Sequence, residues 1–186
     1  MDSVFDSLSK LRWQPAIRSV PHYFSDPTYN GAIAKSVRDH RKTLGWTPDA
    51  TIISFHGLPK TFINRGDPYQ RHCETTAQML LAALLADANS MPIVYQSSST
   101  RAGWLAPELE ETFDRLAMNG ARSACAIAPG FAADCVETLE EIRIRAAQRY
   151  FGMGGKNFSA VPCLNANDAS TQLMLDKIAQ NILGWD

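Results

Sequence analysis

The reading of the fold turns on T-I-I-S-F-H-G-L-P-K-T-F-I-N-R-G-D-P-Y, Thr51 to Tyr69. Thr51 to Phe55 is an apolar, β-branched run of strand length, the composition of a strand covered on both faces. His56 and Gly57 close it, and glycine lets the backbone turn sharply or approach a ligand closely. After an irregular loop, Asp67-Pro68 supplies a helix start, a capping side chain followed by proline at the first helical position. Behind it Tyr69, Cys73, Ala77, Leu80, Leu81, Leu84 and Leu85 form one apolar stripe at helical spacing. Buried strand, loop and amphipathic helix in that order make the first half of a β-α-β unit, so a parallel sheet is expected.

The rest of the chain repeats the alternation. Ala16 to Val20 reads as a strand, and Pro27 to Leu44 as a helix with apolar Ile33, Ala34 and Val37. Pro92 to Gln96 is the next strand, Pro107 to Asn119 a helix stopped by Gly120, and Ser123 to Ala128 a further strand. Asp134 to Tyr150 reads as helical, with Val136, Leu139 and Ile142 at core spacing, and Phe158 to Leu164 as a last strand. Asp168 caps a final helix whose stripe includes Leu173, Leu175, Ile178, Ile182 and Leu183, with Gly184 beyond it. The expected fold is α/β, a three-layer arrangement of a parallel sheet with helices on both faces. Such sheets bind ligands outside the carboxyl ends of their strands. The candidates for chemistry are therefore His22, His56, Ser97 to Trp104 and Pro129 to Glu137.

Bulk properties narrow the function classes. The length of 186 residues, with 45% hydrophobic and 20% charged residues, suits one globular domain with a real core. The net charge is −1 and no lysine- or arginine-rich block occurs, which argues against a nucleic-acid partner. The longest apolar run, Met79 to Ala86, is too short to span a bilayer. The opening M-D-S-V-F-D-S-L carries acids where a secretory signal would carry basic residues, so a soluble, cytoplasmic protein is expected. Cys73, Cys125, Cys135 and Cys163 show no C-x-x-C spacing. They signal neither a zinc knuckle, a redox pair nor an iron–sulfur cluster, and read as buried free thiols.

No phosphate-binding glycine pattern follows a strand, because G-M-G-G at Gly152 to Gly155 follows a helix. No G-x-S-x-G elbow supplies a hydrolase nucleophile. His56 has two readings from position alone: a base or metal ligand delivered to a substrate, or a histidine tied to a loop carbonyl. Glu137 also has two. It stands three residues after Asp134, the spacing of a capping box, which spacing alone favours. Yet Glu140 and Glu141 stand close by, more carboxylates than a cap needs, although they also suit the helix dipole. Trp104 reads as a packing or lid residue that could also cover a flat aromatic ligand. His22 closes the first strand and could face the same mouth, and His40 and His72 read as solvated positions on helices.

Taken together, the segments resemble one family, the ferrochelatases, which insert ferrous iron into protoporphyrin IX. The matching strings are S-F-H-G-L-P, R-G-D-P-Y with Cys73 and Thr76, Y-Q-S, W-L-A-P, P-G-F-A-A-D-C-V-E-T-L-E-E-I, G-G-K-N-F and V-P-C-L-N, in family order from about Trp13 to the C-terminus. The resemblance implies a chelatase-like, Rossmann-like domain and a lyase of heme biosynthesis that makes protoheme. It makes His56 and Glu137 the central catalytic pair, facing each other across a porphyrin cleft and concerned with metal delivery and pyrrole deprotonation. The chemistry needs such a pair: two N–H protons must leave the macrocycle while a dication enters. The resemblance also places Tyr69, Trp104 and Phe131 along or beneath the cleft. Asp134 would anchor the turn before the glutamate helix, and Glu141 would be the next carboxylate on a metal path. It implies ferrous iron as substrate and no tightly bound cofactor.

Several positions depart from the family pattern. Ser98-Ser99-Thr100 stands where a basic residue and a glycine are usual, Leu109-Glu110-Glu111 replaces T-D-E, and Arg143 and Arg145 interrupt the acidic row. The family has two chelatase-type halves with the porphyrin between them, and no segment here resembles the N-terminal one. Residues 1–12 read as the connecting segment and 13–186 as the C-terminal chelatase domain, from an excised domain or a shortened gene product. Its expected partner is a separate N-terminal half or a second copy of the chain. A metal- or tetrapyrrole-binding module without turnover, or an inactive fragment, is the alternative.

Overall fold

The computed structural model describes residues 2–98 and 103–185. Helices α1 (Asp2–Leu8) and α2 (Pro27–Thr43) precede strand β1 (Ala50–His56). A short α3 (Lys60–Asn64), α4 (Tyr69–Leu84), β2 (Ile93–Gln96), α5 (Leu109–Met118) and β3 (Ser123–Ile127) follow. A π-helix (Glu137–Ala146) runs into α6 (Ala147–Gly152), and β4 (Asn157–Ala160) and α7 (Asp168–Ile182) complete the chain. The sheet has four strands in the order β2-β1-β3-β4, all parallel.

Strand periodicity divides the core in two. Ile53, Phe55, Tyr95, Cys125 and Ile127 face α2 and α4 and pack with Ile33, Val37, Cys73, Ala77 and Leu80. Ile52, Val94, Ala124 and Ala126 point the other way, onto Leu109, Phe113, Ile142, Ala146 and Tyr150. This is the expected three-layer sandwich, and it explains why the strands read as continuous apolar runs. The chain runs from β1 to β2 on one side and from β3 to β4 on the other, so the connection reverses between β1 and β3. Crevices at such reversals are where ligands bind in open α/β sheets.

Four expectations are corrected. Ala16 to Val20 forms no strand and lies exposed. Local alternation does not supply a partner edge. Instead the Arg18 guanidinium donates to the carbonyls of Asn181 (2.9 Å) and Leu183 (2.8 Å) at the end of α7 and lies 5.1 Å from the Trp185 ring centroid. In α4 the stripe stops early, because Leu85 is the left-handed cap (φ 51°) and is 96% exposed.

In α7 only Leu173 of the expected row is buried, while Leu175, Ile178, Ile182 and Leu183 are exposed. The helix meets the body through Ser170 and Leu173 and through Lys177, whose ammonium pairs with Asp26. Its cap is Asn167, whose side chain accepts from the Ser170 amide. Finally, Val136 and Leu139 are exposed. The i→i+5 bonding of a π-helix widens the turn, so the buried residues are Thr138, Ile142 and Ala146 at four-residue steps. No helix among the described residues is long and apolar enough to cross a membrane.

Candidate active site at the carboxyl ends of β1 and β3

His56 ends β1 as its one exposed residue, after a run of buried ones. Its main chain is fixed from below: the Tyr69 hydroxyl donates to its carbonyl at 2.8 Å. Tyr69 is therefore a half-buried support for the strand end, and burial pushes its phenol well above the usual range. Gly57 follows, its amide donating to the Gln96 carbonyl at 2.7 Å. A Cβ on Gly57 would stand 2.8 Å from Gln96 O, 2.9 Å from Ser98 Cβ and 3.3 Å from the Trp104 ring. The close approach requires glycine, and Gly57→Ala should cost about 1–3 kcal/mol by overpacking, read as a lowered urea midpoint.

Trp104 lies against this turn. Pro59 and Trp104 pair as an antiparallel bridge, with Lys60 N donating to Gly103 O at 2.8 Å and Leu105 N to Leu58 O at 2.9 Å. Phe131 enters from β3. The Tyr29 hydroxyl holds the Pro129 carbonyl, the Phe131 amide closes a turn on Ala128 O at 3.1 Å, and the Phe131 ring meets His56 edge-on, centroids 6.5 Å apart. Beside them opens a hollow of about 290 Å³, whose walls include Phe55, Tyr69, Cys73 and Gly130. His72 stacks on Phe24 there, centroids 3.8 Å apart, with His22 5.1 Å away. His72 is thus half-buried, not solvated, and so is His40, whose Nε2 lies 2.8 Å from Ser159 Oγ.

Glu137 opens the π-helix. The capping box that its spacing suggested does not form: the Asp134 amide donates to Asn165 Oδ1 at 2.8 Å. Asp134 instead gathers the turn. Its carboxylate accepts from Asn165 Nδ2 (2.9 Å), Thr138 Oγ1 (3.1 Å), Cys163 N (3.4 Å) and Arg143 (3.4 Å). Burial raises its pKa, but these donors and the Arg143 charge outweigh it and hold the carboxyl below its ordinary value. Stability from a depressed carboxyl is present above the unfolded pKa and is lost as pH falls through the folded one. Asp134→Ala should cost about 1–3 kcal/mol at neutral pH. The gap to wild type should narrow as pH falls through and below the ordinary carboxylate range, as urea unfolding over that range would show.

The Glu137 carboxyl is also held below its ordinary value, first by the Cys135 thiol, then by its own amide, with the nearby His56 imidazole adding to the effect. His56 and Glu137 are thus neighbours at the open end of the sheet. Glu141 is less free. It accepts from Ser97 Oγ at 2.7 Å and pairs with Arg145 at 3.3 Å, which also reaches Glu140 and Glu110. Among the described residues no three His, Cys, Asp or Glu side chains converge as a metal cage. Ser98 is buried and donates to Tyr95 O at 3.1 Å, while Ser99 and Thr100 lie outside the described residues. The sequence reading missed Cys135, Asn165 and Gln96. For Gln96, a polar residue ending a buried strand was the available signal.

Comparison with known proteins bears on the fold and the family. Two solved structures share the fold: SirB from Bacillus subtilis, determined with Fe3+, and DR2241 from Deinococcus radiodurans, described as structurally similar to chelatases. SirB superposes with a TM-score of 0.55 at 14% identity over 81% of this chain and 53% of its own. DR2241 gives 0.55 at 19% identity over 84% of this chain and 30% of its own. Ferrochelatases from Agrobacterium fabrum and Bradyrhizobium diazoefficiens are each 40% identical over 184 residues, and that of Rhizobium meliloti is 39% identical over the same length. The chain spans about half the length of these relatives, 54% of the Agrobacterium protein for example. The Ferrochelatase family model matches residues 1–182, almost the whole chain, and this chain is therefore a member of the ferrochelatase family.

Proposed function

We propose that the chain supplies the metal-inserting half of a ferrochelatase, placing ferrous iron in protoporphyrin IX to form protoheme. The observation that carries this is the His56–Glu137 pair at the β1/β3 reversal. Insertion releases two pyrrole protons for each Fe2+ that enters, with no change in oxidation state. His56 accepts the two protons in turn from the ring nitrogens, passing the first to solvent at its exposed position before it takes the second, and the Glu137 carboxylate steadies the dication and the developing imidazolium. Phe131 and Trp104 offer aromatic surface to the macrocycle, Tyr69 fixes the His56 backbone, and Glu141 is the next carboxylate outward on the metal's route. A shaped cleft can also bend the flat ring toward a metal-accepting form.

The chain spans about half of its relatives, and in this reading the opposite wall of the cleft comes from an N-terminal half or from a second copy. Cytoplasmic heme synthesis is part of the same reading. The test follows iron or zinc insertion by absorbance, using the chain alone and the chain with the N-terminal half of the Agrobacterium relative. A rate above the protein-free control in either supports the proposal; none in either overturns it. The second reading, binding without turnover, is favoured by the commitment of Glu141 to Arg145 and Ser97. It expects a Soret shift on porphyrin addition with no metallation.

A further inference from the structure

Gln96, the Q of the Y-Q-S string, ends β2 and is 1% exposed. Both ends of its amide are used. Oε1 accepts from the buried Ser54 hydroxyl at 2.8 Å, and Nε2 donates to the main-chain carbonyl of Glu137 at 3.0 Å. The Glu137 carbonyl fixes the orientation of the amide, because it can only accept and so requires the nitrogen, which leaves the oxygen for the Ser54 hydroxyl. A carbonyl has two lone pairs, so Glu137 can accept this bond beside its helical one. A buried amide that satisfies both ends is held in one rotamer, since any other orientation strands a polar group without a partner.

The position has a geometric consequence. Gln96 is the register partner of His56 in the β1–β2 ladder, so a single strand pair carries His56 directly and the Glu137 backbone through one side chain. Ala132 and Ala133, ahead of Glu137, are exposed. Asp134 pins that segment to Asn165 and Cys163, toward β4 and α7, and the Ala132 carbonyl accepts from Asn165 N at 2.9 Å. Toward the sheet, Gln96 bonds the Glu137 carbonyl and Ser97 bonds Glu141; Gln96 is the one that reaches Glu137 itself.

We infer that Gln96 is a positioning residue that sets the distance between the Glu137 carboxylate and the His56 imidazole, through its bond to the Glu137 carbonyl. The inference rests on the reading of His56 and Glu137 as the working pair. Gln96→Met keeps the length and removes both hydrogen bonds. Gln96→Glu keeps an acceptor for Ser54 but turns an anion toward the Glu137 carbonyl, until the introduced carboxyl is protonated and becomes a donor.

The experiment is carbon NMR of the 186-residue chain with labelled glutamate, following the main-chain and side-chain carboxyl resonances of Glu137 against pH. In Gln96→Met both should be displaced at every pH, and the carboxyl should titrate closer to an ordinary glutamate. In Gln96→Glu the carbonyl should be displaced at neutral pH and return toward the wild-type position on the acid side, a recovery that a packing role would not produce. Ser54→Ala, milder on folding, should give a smaller displacement of the same resonances. Unchanged Glu137 resonances in a folded Gln96→Met, or in Ser54→Ala should Gln96→Met not fold, overturn the inference. In the metallation assay Gln96→Met should lower kcat about tenfold or more with the porphyrin KM unchanged. Absence of metallation by the wild-type chain would instead sink the functional reading, and the resonances would still decide this one.

Discussion

Glu137→Ala should remove the proposed metal insertion almost entirely and leave the fold standing, and His56→Ala should do the same. A positioned acid or base in the transition state contributes about 10²- to 10⁴-fold, and in the proposed reaction both residues act on one event, loss of a ring proton as a dication arrives. The rate of metalloporphyrin formation should fall by that factor in either variant. It should fall little further in the double variant, because groups that work as a unit are not additive. Glu137→Gln separates charge from size: retention of activity would deny the carboxylate its role.

The fold should be indifferent, since His56 is exposed and Glu137 half-exposed, and such substitutions usually stay within about 0.5 kcal/mol. Urea unfolding of both variants checks that expectation. A large loss of stability would mean that the rate measures unfolding instead of chemistry.

Phe113→Ala should have the largest effect on stability, about 3–5 kcal/mol. Phe113 is fully buried in a cluster that joins three elements. From α5 its ring stands 5.5 Å from that of Tyr150 on α6 and 5.3 Å, edge-on, from that of Phe158 on β4. The site cannot collapse easily. Tyr150 is tied by its hydroxyl to Ala121 O at 2.9 Å, and the turn at Gly155 already lies against its ring. Against a usual total of about 5–15 kcal/mol, the loss should be plain in calorimetry and in the urea midpoint. A cost under about 1 kcal/mol would mean that neighbouring side chains fill the space.

What the sequence discloses about the fold divides by range. Thr51 to Phe55 and Ser123 to Ala128 are legible as central strands because burial on both faces leaves an apolar run without polar interruption. The arm at Ala16 to Val20 has a similar look locally, but a strand exists only where an edge receives it, and the sequence names no edge. The row on α7 fails for a related reason: periodicity reports that a helix is amphipathic, not which side meets the body. The π-helix defeats the usual spacing outright, since Val136 and Leu139 face the core only if the turn is α-helical.

For the site, strand-end position was enough to single out His56, and the first turn of the helix drew attention to Glu137. What holds the glutamate was not legible. Asp134 and Asn165 are 31 residues apart and Gln96 and Glu137 are 41 apart, and no local spacing rule links such pairs.

The β1–β2 ladder has a genetic consequence. His56 and Gln96 are opposite each other in its register, and strand side chains alternate faces with a period of two. A single-codon deletion of Ile52 or Ile53, or of Val94 or Tyr95, would remove no chemical group of the site. It would turn His56 or Gln96 onto the opposite face of the sheet, away from Glu137. Such an allele would carry a complete set of active-site codons and still be null, whereas insertions in the exposed turn after α5, around Asn119 and Gly120, would pass without effect on the pair.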